Sequence, residues 1–291
     1  MDTRQLTYFL GVVTHGGFGR AATHLHVSQP ALSQAVAALE KDLGVSLLHR
    51  VPSGVRLTDA GAALAPQARQ VLRDLEGARA AARSAGSGRT GRVDLAVMPS
   101  QSVEPLTTLV RTLLEHHPQI TVNARAALGR DEAMDLVLSG ACELGLVGAL
   151  EQPFPATLAA HRLGHQKMVL LAPPGALLPT ERPLTGGDLD GQRLLVSPPG
   201  SVMRLVADEL CAASTMRIAV EVEHRSAILP LVRAGVGVAV VSSAWADLAH
   251  AAGVLVCQLQ SSVAVQVDLI HRHTPLTPAA QTLLDLAREA T

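Results

Sequence analysis

Hydrophobic residues recur three and four positions apart over the first 43 residues, a spacing that predicts helices at residues 3–14, 18–25 and 29–43. Gly16 and Gly17 separate the first two helices, and a turn of a few residues leads into the third. Two helices joined by such a turn form a helix-turn-helix. Residues 47–58 then alternate around a Pro-Ser-Gly turn, which predicts a two-stranded wing.

A long helix is predicted to follow, with Thr58 as its N-cap and Asp59 in its first turn. Two interpretations remain open for it: a helix that packs on its own domain and, as we expect, a helix that pairs with a second subunit. Residues 84–91 are rich in Gly and Ser and predict a linker between domains. The apolar positions of the long helix alternate four and three apart and form a heptad seam of Leu64, Ala68, Val71, Leu75, Ala78 and Ala82.

The rest of the chain alternates apolar strands with helices, which implies parallel sheets covered by helices. The plan occurs twice in succession and predicts two lobes, with the last strand and helix returning to the first lobe. Ligands in such sheets bind at the carboxyl ends of strands, against helix N-termini. The predicted strands are residues 93–97, 120–126, 143–147, 168–172, 193–196, 218–222, 238–241 and 263–271, and the predicted helices are residues 103–117, 130–139, 202–213, 227–234 and 277–289.

Composition narrows the class of protein. The 291 residues are 48% hydrophobic and only 2% aromatic, so a site that stacks a ligand on aromatic rings is not expected. No apolar run of about 18 residues is present to span a membrane, and no signal peptide is apparent. The scattered Cys142, Cys211 and Cys257 are typical of a reducing cytoplasm, where we expect the protein to be. Residues 1–90 hold 10 Lys and Arg against 6 Asp and Glu, which indicates either an anionic partner such as nucleic acid or a chance segregation of charge.

Several motifs together resemble the LysR-type transcriptional regulators. They are the Ala-Ala pair at 21–22, "SQPALS" at 28–33, "LE..LG" at 39–44, the Arg of "HR" at 50 and "LT.AG" at 57–61. The resemblance covers the whole chain and is strongest over residues 4–65. It departs from the family at Gln34, where many members carry Arg, and at Leu48, where an aromatic residue is common.

The resemblance implies a multidomain fold: a mainly α N-terminal winged helix-turn-helix, a linker helix, and a two-lobed α/β effector domain resembling type 2 periplasmic binding proteins. We assign the DNA-binding domain to residues 1–58, the dimerising linker helix and hinge to 59–91, and the effector-binding domain to 92–291. Lobe I covers about 92–162 and 267–291, and lobe II about 163–266. The family further implies a homo-oligomer, usually a tetramer arranged as a dimer of dimers, with Leu64, Ala68, Val71, Leu75 and Ala78 as the dimerisation residues.

The start of the third helix suits the major groove of double-stranded DNA, because its short polar side chains match the donors and acceptors of base edges. Gln29 and Gln34 can each bond an adenine, although an ordinary solvated pair is the alternative. Arg20, Arg50 and Arg56 suit phosphates. The predicted DNA-contacting residues are Arg20, Ser28, Gln29, Pro30, Ala31, Ser33, Gln34, Arg50 and Arg56.

The effector site is expected where polar turns follow the strands of the two lobes. Helix capping is the alternative role for the serines, and surface salt bridges are the alternative for Arg130 and Arg225. A small anionic metabolite is the expected ligand. The predicted effector-binding residues are Ser100, Gln101, Ser102, Gly129, Arg130, Ser197, Gly200, Ser201, Val202 and His224.

Other functions are weaker expectations. The short His pairs lack a third ligand nearby in sequence, so no metal site is expected, and Cys211 has no near partner for a redox switch. No cofactor motif or nucleophile–base set emerges, so we expect no enzyme. RNA polymerase is a candidate partner and a membrane is not. The alternative to a DNA-binding regulator is a small-molecule-binding protein that uses its N-terminal helices only for oligomerisation.

Overall fold

The computed structural model describes residues 1–52, 54–83 and 90–290, with residues 80–83 as backbone only. Most of the predicted linker at 84–91 therefore lies outside the described residues. So do Ser53 and the side chain of Ala82.

The N-terminal part has the predicted helices and wing. Helices α1 (Thr3–His15), α2 (Phe18–His24) and α3 (Gln29–Leu43) precede the antiparallel pair β1 (Leu48–Val51) and β2 (Gly54–Leu57). Ser28 caps α3 as predicted, because its Oγ accepts from the backbone N–H of Ala31 at 3.4 Å. The largest side chains of the shared core are fully buried: Phe9, Leu32, Leu39 and Leu47.

Helix α4 (Asp59–Arg83) begins at the predicted cap, where the Oγ1 of Thr58 accepts from the N–H of Gly61 at 3.0 Å. Its first half serves its own domain: Ala68 is 1% exposed in the N-terminal core, and Leu64 packs against that core. Val71, in contrast, is 46% exposed. The heptad seam is therefore divided between an intramolecular part and an exposed part.

Twelve of the thirteen elements predicted for the rest of the chain start within three residues of their predicted positions, and β6 (Leu158–Ala172) is the exception. The last strand and helix do return to the first lobe. Two were not predicted, α9 and β10. The elements are β3 (Gly91–Val97), α5 (Leu106–His116), β4 (Ile120–Ala126), α6 (Arg130–Leu138), β5 (Leu144–Ala149), β6 (Leu158–Ala172), β7 (Arg193–Val196), α7 (Val202–Ala212), β8 (Arg217–Glu221), α8 (Ile228–Arg233), β9 (Val238–Ser242), α9 (Ala246–Ala251), β10 (Leu255–Gln258), β11 (Ala264–Arg272) and α10 (Pro278–Glu289).

The prediction of parallel sheets is correct for only part of the fold. Strands β4, β3 and β5 are parallel in the first lobe, and β8, β7 and β9 are parallel in the second. Strand β11 is antiparallel to β5 and β6, and β6 is antiparallel to β9 and β10. The physical reason is that β6 and β11 run in opposite directions between the two lobes, so each must pair antiparallel with the other.

The two lobes are joined through these crossing strands. Strand β6 pairs with β11 along its first half and with β9 and β10 along its second half. The proposed lobe boundaries at residues 162–163 and 266–267 fall inside β6 and β11. Each lobe has its own buried apolar core, so the strands form the base of a cleft between two separately packed bodies.

One buried carboxylate connects three segments at the edge of the first lobe. Glu143 is only 1% exposed and accepts from the backbone N–H of Thr277 at 2.9 Å and from its hydroxyl at 3.1 Å, at the N-cap of α10. The Nε of Arg73 in α4 lies 3.8 Å from the same carboxylate. Burial raises the pKa of Glu143, and the Thr277 bonds and the Arg73 charge oppose that rise without cancelling it.

Helix α4 is held against the first lobe by two further contacts. Arg69 donates to the carbonyl of Ser139 at 2.5 Å, and Arg73 donates to the carbonyl of Gly140 at 2.7 Å. Gly140 has a φ of +69°, and a Cβ there would lie 3.1 Å from the Cα of Pro66. Position 140 therefore needs glycine for both its backbone conformation and its distance from the helix.

The raised pKa of Glu143 predicts how stability changes with pH. The folded chain takes up this proton at a higher pH than the unfolded chain, so the group's contribution to the free energy of unfolding grows as the pH falls through the folded pKa towards about 4.3. We expect the free energy of unfolding of the wild type, minus that of Glu143→Gln, to increase as the pH is lowered from neutral to about 4.5. Urea unfolding at a series of pH values measures this difference.

Because both proteins share all other titrating groups, those groups cancel in the difference between the wild type and Glu143→Gln. The Gln side chain also keeps an oxygen that can accept from Thr277. A difference that stays constant or shrinks as the pH falls would contradict the prediction. Glu143→Ala should cost about 3 kcal/mol at neutral pH, because it leaves buried donors without an acceptor.

Candidate functional site

The start of α3 presents an uncharged polar face to solvent. Leu32, Val36 and Leu39 are buried in the N-terminal core, so the opposite side of the helix faces outward. Gln29 and Gln34 are exposed there. Of the other predicted positions on this helix start, Ser28 and Pro30 are exposed, while Ala31 and Ser33 are half-buried.

The wing places a guanidinium beside this face. Arg50, on β1, donates to the Oγ of Ser33 at 3.4 Å and lies 5.1 Å from the ring centre of Phe18. Arg56 is opposite His49 in the wing register and is exposed. Positive charge thus flanks the helix start without lying on it, an arrangement that suits phosphates on either side of a groove.

Arg20 has a different environment from the other two arginines. Its Nε donates to the carbonyl of His15 and its Nη2 to the carbonyl of Gly16, both at 2.6 Å. These carbonyls belong to the C-terminal end of α1, where a cation also interacts favourably with the helix dipole. The geometry favours a structural role for Arg20, and its predicted phosphate contact stays untested.

A cavity of about 580 Å³ lies in the cleft between the two lobes. Turns after the strands of both lobes border it, as the sequence predicted, and its volume is in the range of small-molecule sites. Most of the side chains around it are apolar. The lining residues are Met98, Pro99, Ser100, Gln101, Leu128, Gly129, Arg130, Gly148, Ala149, Pro198, Pro199, Gly200, Ser201, Val202, Met203, Glu223, His224, Arg225, Ser242 and Val265.

Two of the predicted effector residues do not line this cavity. Ser102 instead donates its hydroxyl to the carbonyl of Pro99 at 2.6 Å, and Ser197 is buried just before the lining turn. Ser201 both lines the cavity and caps α7, because its Oγ accepts from the N–H of Arg204 at 3.1 Å. Capping and lining therefore coexist at Ser201.

Gln101 forms a fixed part of the cavity wall. It is 1% exposed, and its Nε2 donates to the Oε1 of Gln166 at 3.2 Å. Gln166 in turn donates to the carbonyl of Glu104 at 2.9 Å. A Cβ at Gly148 would overlap the amide of Gln101, so glycine at 148 leaves room for this side chain.

The two arginines at the cavity differ in their partners. Arg130 donates to the carbonyl of Pro153 at 2.7 Å and of Gln152 at 3.2 Å, and it lies 4.5 Å from the ring centre of Phe154. Arg225 is half-buried at the start of a 3-10 turn, and burial lowers the pKa of its guanidinium. Among the described residues, none forms a hydrogen bond or an ion pair with the Arg225 side chain.

Sequence reasoning missed several lining residues. Met98 and Ser242 stand at or directly beyond the carboxyl ends of β3 and β9, so the rule that ligands bind at such ends could have identified them. Leu128 and Val265 carried no comparable signal, since each is one apolar residue among many. Leu128 is nevertheless 73% exposed.

The described residues offer little to metal or redox chemistry. They contain no group of three His, Cys, Asp or Glu side chains arranged to hold a metal ion. Burial raises the pKa of Cys142 to about 11 and also raises the pKa of Cys211 and Cys257, so these thiols are not activated. None of the helices in the described ranges is long and apolar enough to cross a membrane.

Comparisons with known proteins agree with this geometry. The family model of the LysR substrate binding domain matches residues 86–291, and that of the bacterial regulatory helix-turn-helix protein, lysR family, matches residues 3–62. The chain is 30% identical to the transcriptional regulator IlvR of Caulobacter vibrioides, over 99% of this chain and 98% of IlvR. It is 27% identical to the regulator ClcR of Pseudomonas putida, over 98% of each. The solved structure of full-length CbnR complexed with target DNA is 26% identical, with a TM-score of 0.63 over 100% of both chains.

The carbonyl contacts of Arg20 predict a local loss of stability on substitution. Arg20→Ala should lower the free energy of unfolding of the N-terminal domain by about 1 kcal/mol, because the carbonyls of His15 and Gly16 lose their charged donor. Hydrogen–deuterium exchange over residues 12–20 should become faster. Arg56→Ala is the matched control, since it removes an exposed arginine from the wing and should change both measurements little. Equal behaviour of the two variants would contradict the capping role.

Proposed function

Because the chain belongs to the LysR family of bacterial transcriptional regulators, we propose that α3 and the wing bind a promoter operator while a small anionic metabolite in the cleft modulates that binding. The observation that carries the DNA-reading part is the exposed, uncharged start of α3 with Arg50 and Arg56 beside it. DNA-binding regulation is a property of the family, so the alternative of a binding protein with purely oligomerising helices is not retained.

Base reading and phosphate binding are assigned to different side chains. Gln29 and Gln34 are exposed amides that can each bond an adenine edge, and they carry no charge that would attract every sequence equally. Arg50 and Arg56 supply charge at the sides. The likeness to CbnR, whose solved structure is a complex with its target DNA, supports DNA binding by this chain.

The cleft is proposed to hold the effector. Its cavity of about 580 Å³ has an apolar lining interrupted by a few polar groups from both lobes, the usual character of a site for a small organic ligand. Two guanidinium groups at its border, from Arg130 and Arg225, favour an anion. We propose no catalytic step for this site.

The exposed half of the α4 seam is proposed to pair with a second copy of the chain. Leu64 and Ala68 are occupied by their own domain, whereas Val71 and Ala78 are exposed and Leu75 is half-buried. A dimer of dimers, the arrangement expected from the family, would place several reading helices along one operator. RNA polymerase is a further proposed partner, since regulators of transcription act on its recruitment.

Gln34 is predicted to set operator preference. Gln34→Ala should weaken the preferred operator, and should reduce discrimination at one base pair by about 1–3 kcal/mol while leaving other sequences less affected. Arg50→Ala should weaken binding to all sequences alike. It should also reduce the slope of log K against log salt concentration by about 1, because one phosphate contact is lost. Fluorescence anisotropy on an operator and its single-base variants, at several salt concentrations, separates the two effects. Uniform loss for both variants would contradict the assignment of Gln34.

If the exposed part of the heptad seam pairs with a second copy, a charge placed there should change the oligomeric state. Val71→Glu should shift the chain towards smaller species in sedimentation velocity, because a buried charge in a paired helix costs more than the pairing supplies. Glu76→Gln is the control, as Glu76 is exposed on the same helix and outside the seam. An unchanged distribution for Val71→Glu would show that α4 does not form this interface.

A further inference from the structure

Arg225 is a cation without a partner at the wall of the cleft. It lines the cavity and is half-buried, yet no carboxylate of the described chain lies within 4.0 Å of its guanidinium. Partial burial removes water from the charge, and an unpaired charge in that position costs free energy. A negatively charged ligand group would supply the missing partner.

Arg130 is the natural comparison, because it borders the same cavity. Its guanidinium already bonds the carbonyls of Gln152 and Pro153 and lies against the Phe154 ring. These contacts fix its position with neutral groups and use its Nη2, while its Nη1 donates to the Oε1 of Gln152 at 3.4 Å. Of the two arginines, Arg225 therefore has the larger unused capacity to bind an anion.

A second, independent observation points to the same ligand group. Ser242 lines the cavity, is 1% exposed, and has a hydroxyl oxygen that is buried without a hydrogen-bond partner. Buried hydroxyls without partners are uncommon in folded proteins and costly. Ser242 lies at the carboxyl end of β9, the end at which ligands of parallel sheets bind.

The other charged or titratable groups at the cavity do not neutralise Arg225. Glu223 and His224 line the cavity and are both exposed, and Glu223 forms no ion pair with Arg225 within 4.0 Å. The carboxylate of Glu223 would favour a ligand that carries an amino group in addition to its negative charge. The arginine itself selects for a negative charge.

The apolar side chains describe the remainder of the ligand. Met98, Leu128, Val202 and Val265 contribute hydrocarbon to the cavity, and its described lining includes no Phe, Tyr or Trp. A ligand body would be bound by burial of apolar surface and not by stacking. Planar carboxylate geometry suits the two-pronged donors of an arginine.

We propose that Arg225 and Ser242 form the carboxylate subsite of the cleft, and that the effector is a small carboxylic acid with an apolar body. This rests on the proposed function, in which the cleft binds an anionic effector. Arg225 contacts the ligand directly and determines its charge. Arg130 instead fixes the loop that borders the cavity.

The first test needs no ligand. Arg225→Met and Ser242→Ala remove polar groups that lack partners, so each ligand-free variant should unfold at the same temperature as the wild type or at a higher one. Arg130→Met is the matched control and should unfold at a lower temperature, because it breaks bonds to two carbonyls. An Arg225→Met variant destabilised as much as Arg130→Met would overturn the proposal, since Arg225 would then have a structural role.

The second test measures binding by calorimetry with paired probes: hexanoate and hexanamide, benzoate and benzamide, adipate and adipamide, leucine and leucinamide. Acids should bind the wild type at millimolar concentration or below while the matched amides do not. Arg225→Met should raise the Kd of a bound acid about 10- to 100-fold, and Ser242→Ala about 5-fold. If leucine binds, Glu223→Gln should weaken the binding of leucine only, because leucine is the one acid among the probes that carries an amino group.

The outcomes separate the two proposals. Acids that bind the wild type and Arg225→Met equally overturn the subsite and leave an anionic effector in place. If none of the acids binds the wild type, both the subsite and the carboxylate effector are overturned, while operator binding remains testable by itself.

Discussion

One buried carboxylate, that of Glu143, connects the linker helix α4 with the first lobe of the C-terminal domain. Glu143 satisfies the N-cap of α10 and pairs at 3.8 Å with Arg73 of the linker helix. Ionising a carboxylate that is 1% exposed is unfavourable, and the protein offsets this with two bonds from Thr277 and a neighbouring guanidinium. Without this group, the arginines of α4 would face buried carbonyls and one another with no anion among them.

The same junction explains why the linker helix belongs to two bodies at once. Its first half completes the N-terminal core through Ala65 and Ala68, and Arg69 and Arg73 then reach the first lobe. The first lobe and α4 are thus connected through short polar contacts. Such contacts are specific in direction, whereas apolar packing would tolerate sliding.

Much of the fold could be predicted because the local sequence pattern of most elements matches the position that they take in the folded chain. The cap at Ser28, the wing and the cap at Thr58 are encoded by a few adjacent residues, and the structure has all three. The first half of β6 was missed because residues 158–167 mix apolar and polar side chains around Gly164 and form no continuous apolar run. Their strand pairing is decided by β11, which lies about 100 residues further along the chain. The local sequence carries no information about a partner strand so far along the chain.

The candidate site was harder to predict for a related physical reason. Sequence spacing identifies turns and caps, so Ser100, Gly129 and Ser201 were found at the cavity. Whether a side chain has a partner depends on distant residues, and this is what distinguishes Arg225 from Arg130.

Polar groups without partners are concentrated where the chain meets something outside its own cores. Of the six buried polar atoms without a hydrogen bond in the described chain, Arg73 Nε and Arg272 Nε lie at the linker junction, and Ser197 Oγ and Ser242 Oγ lie at or next to the cleft. The other two are His161 Nε2, on β6, and Trp245 Nε1, in the core of the second lobe. Folded proteins retain unfavourable features of this kind mainly at functional sites. The cleft and the junction are therefore the places where binding free energy from outside the chain can alter the balance between conformations.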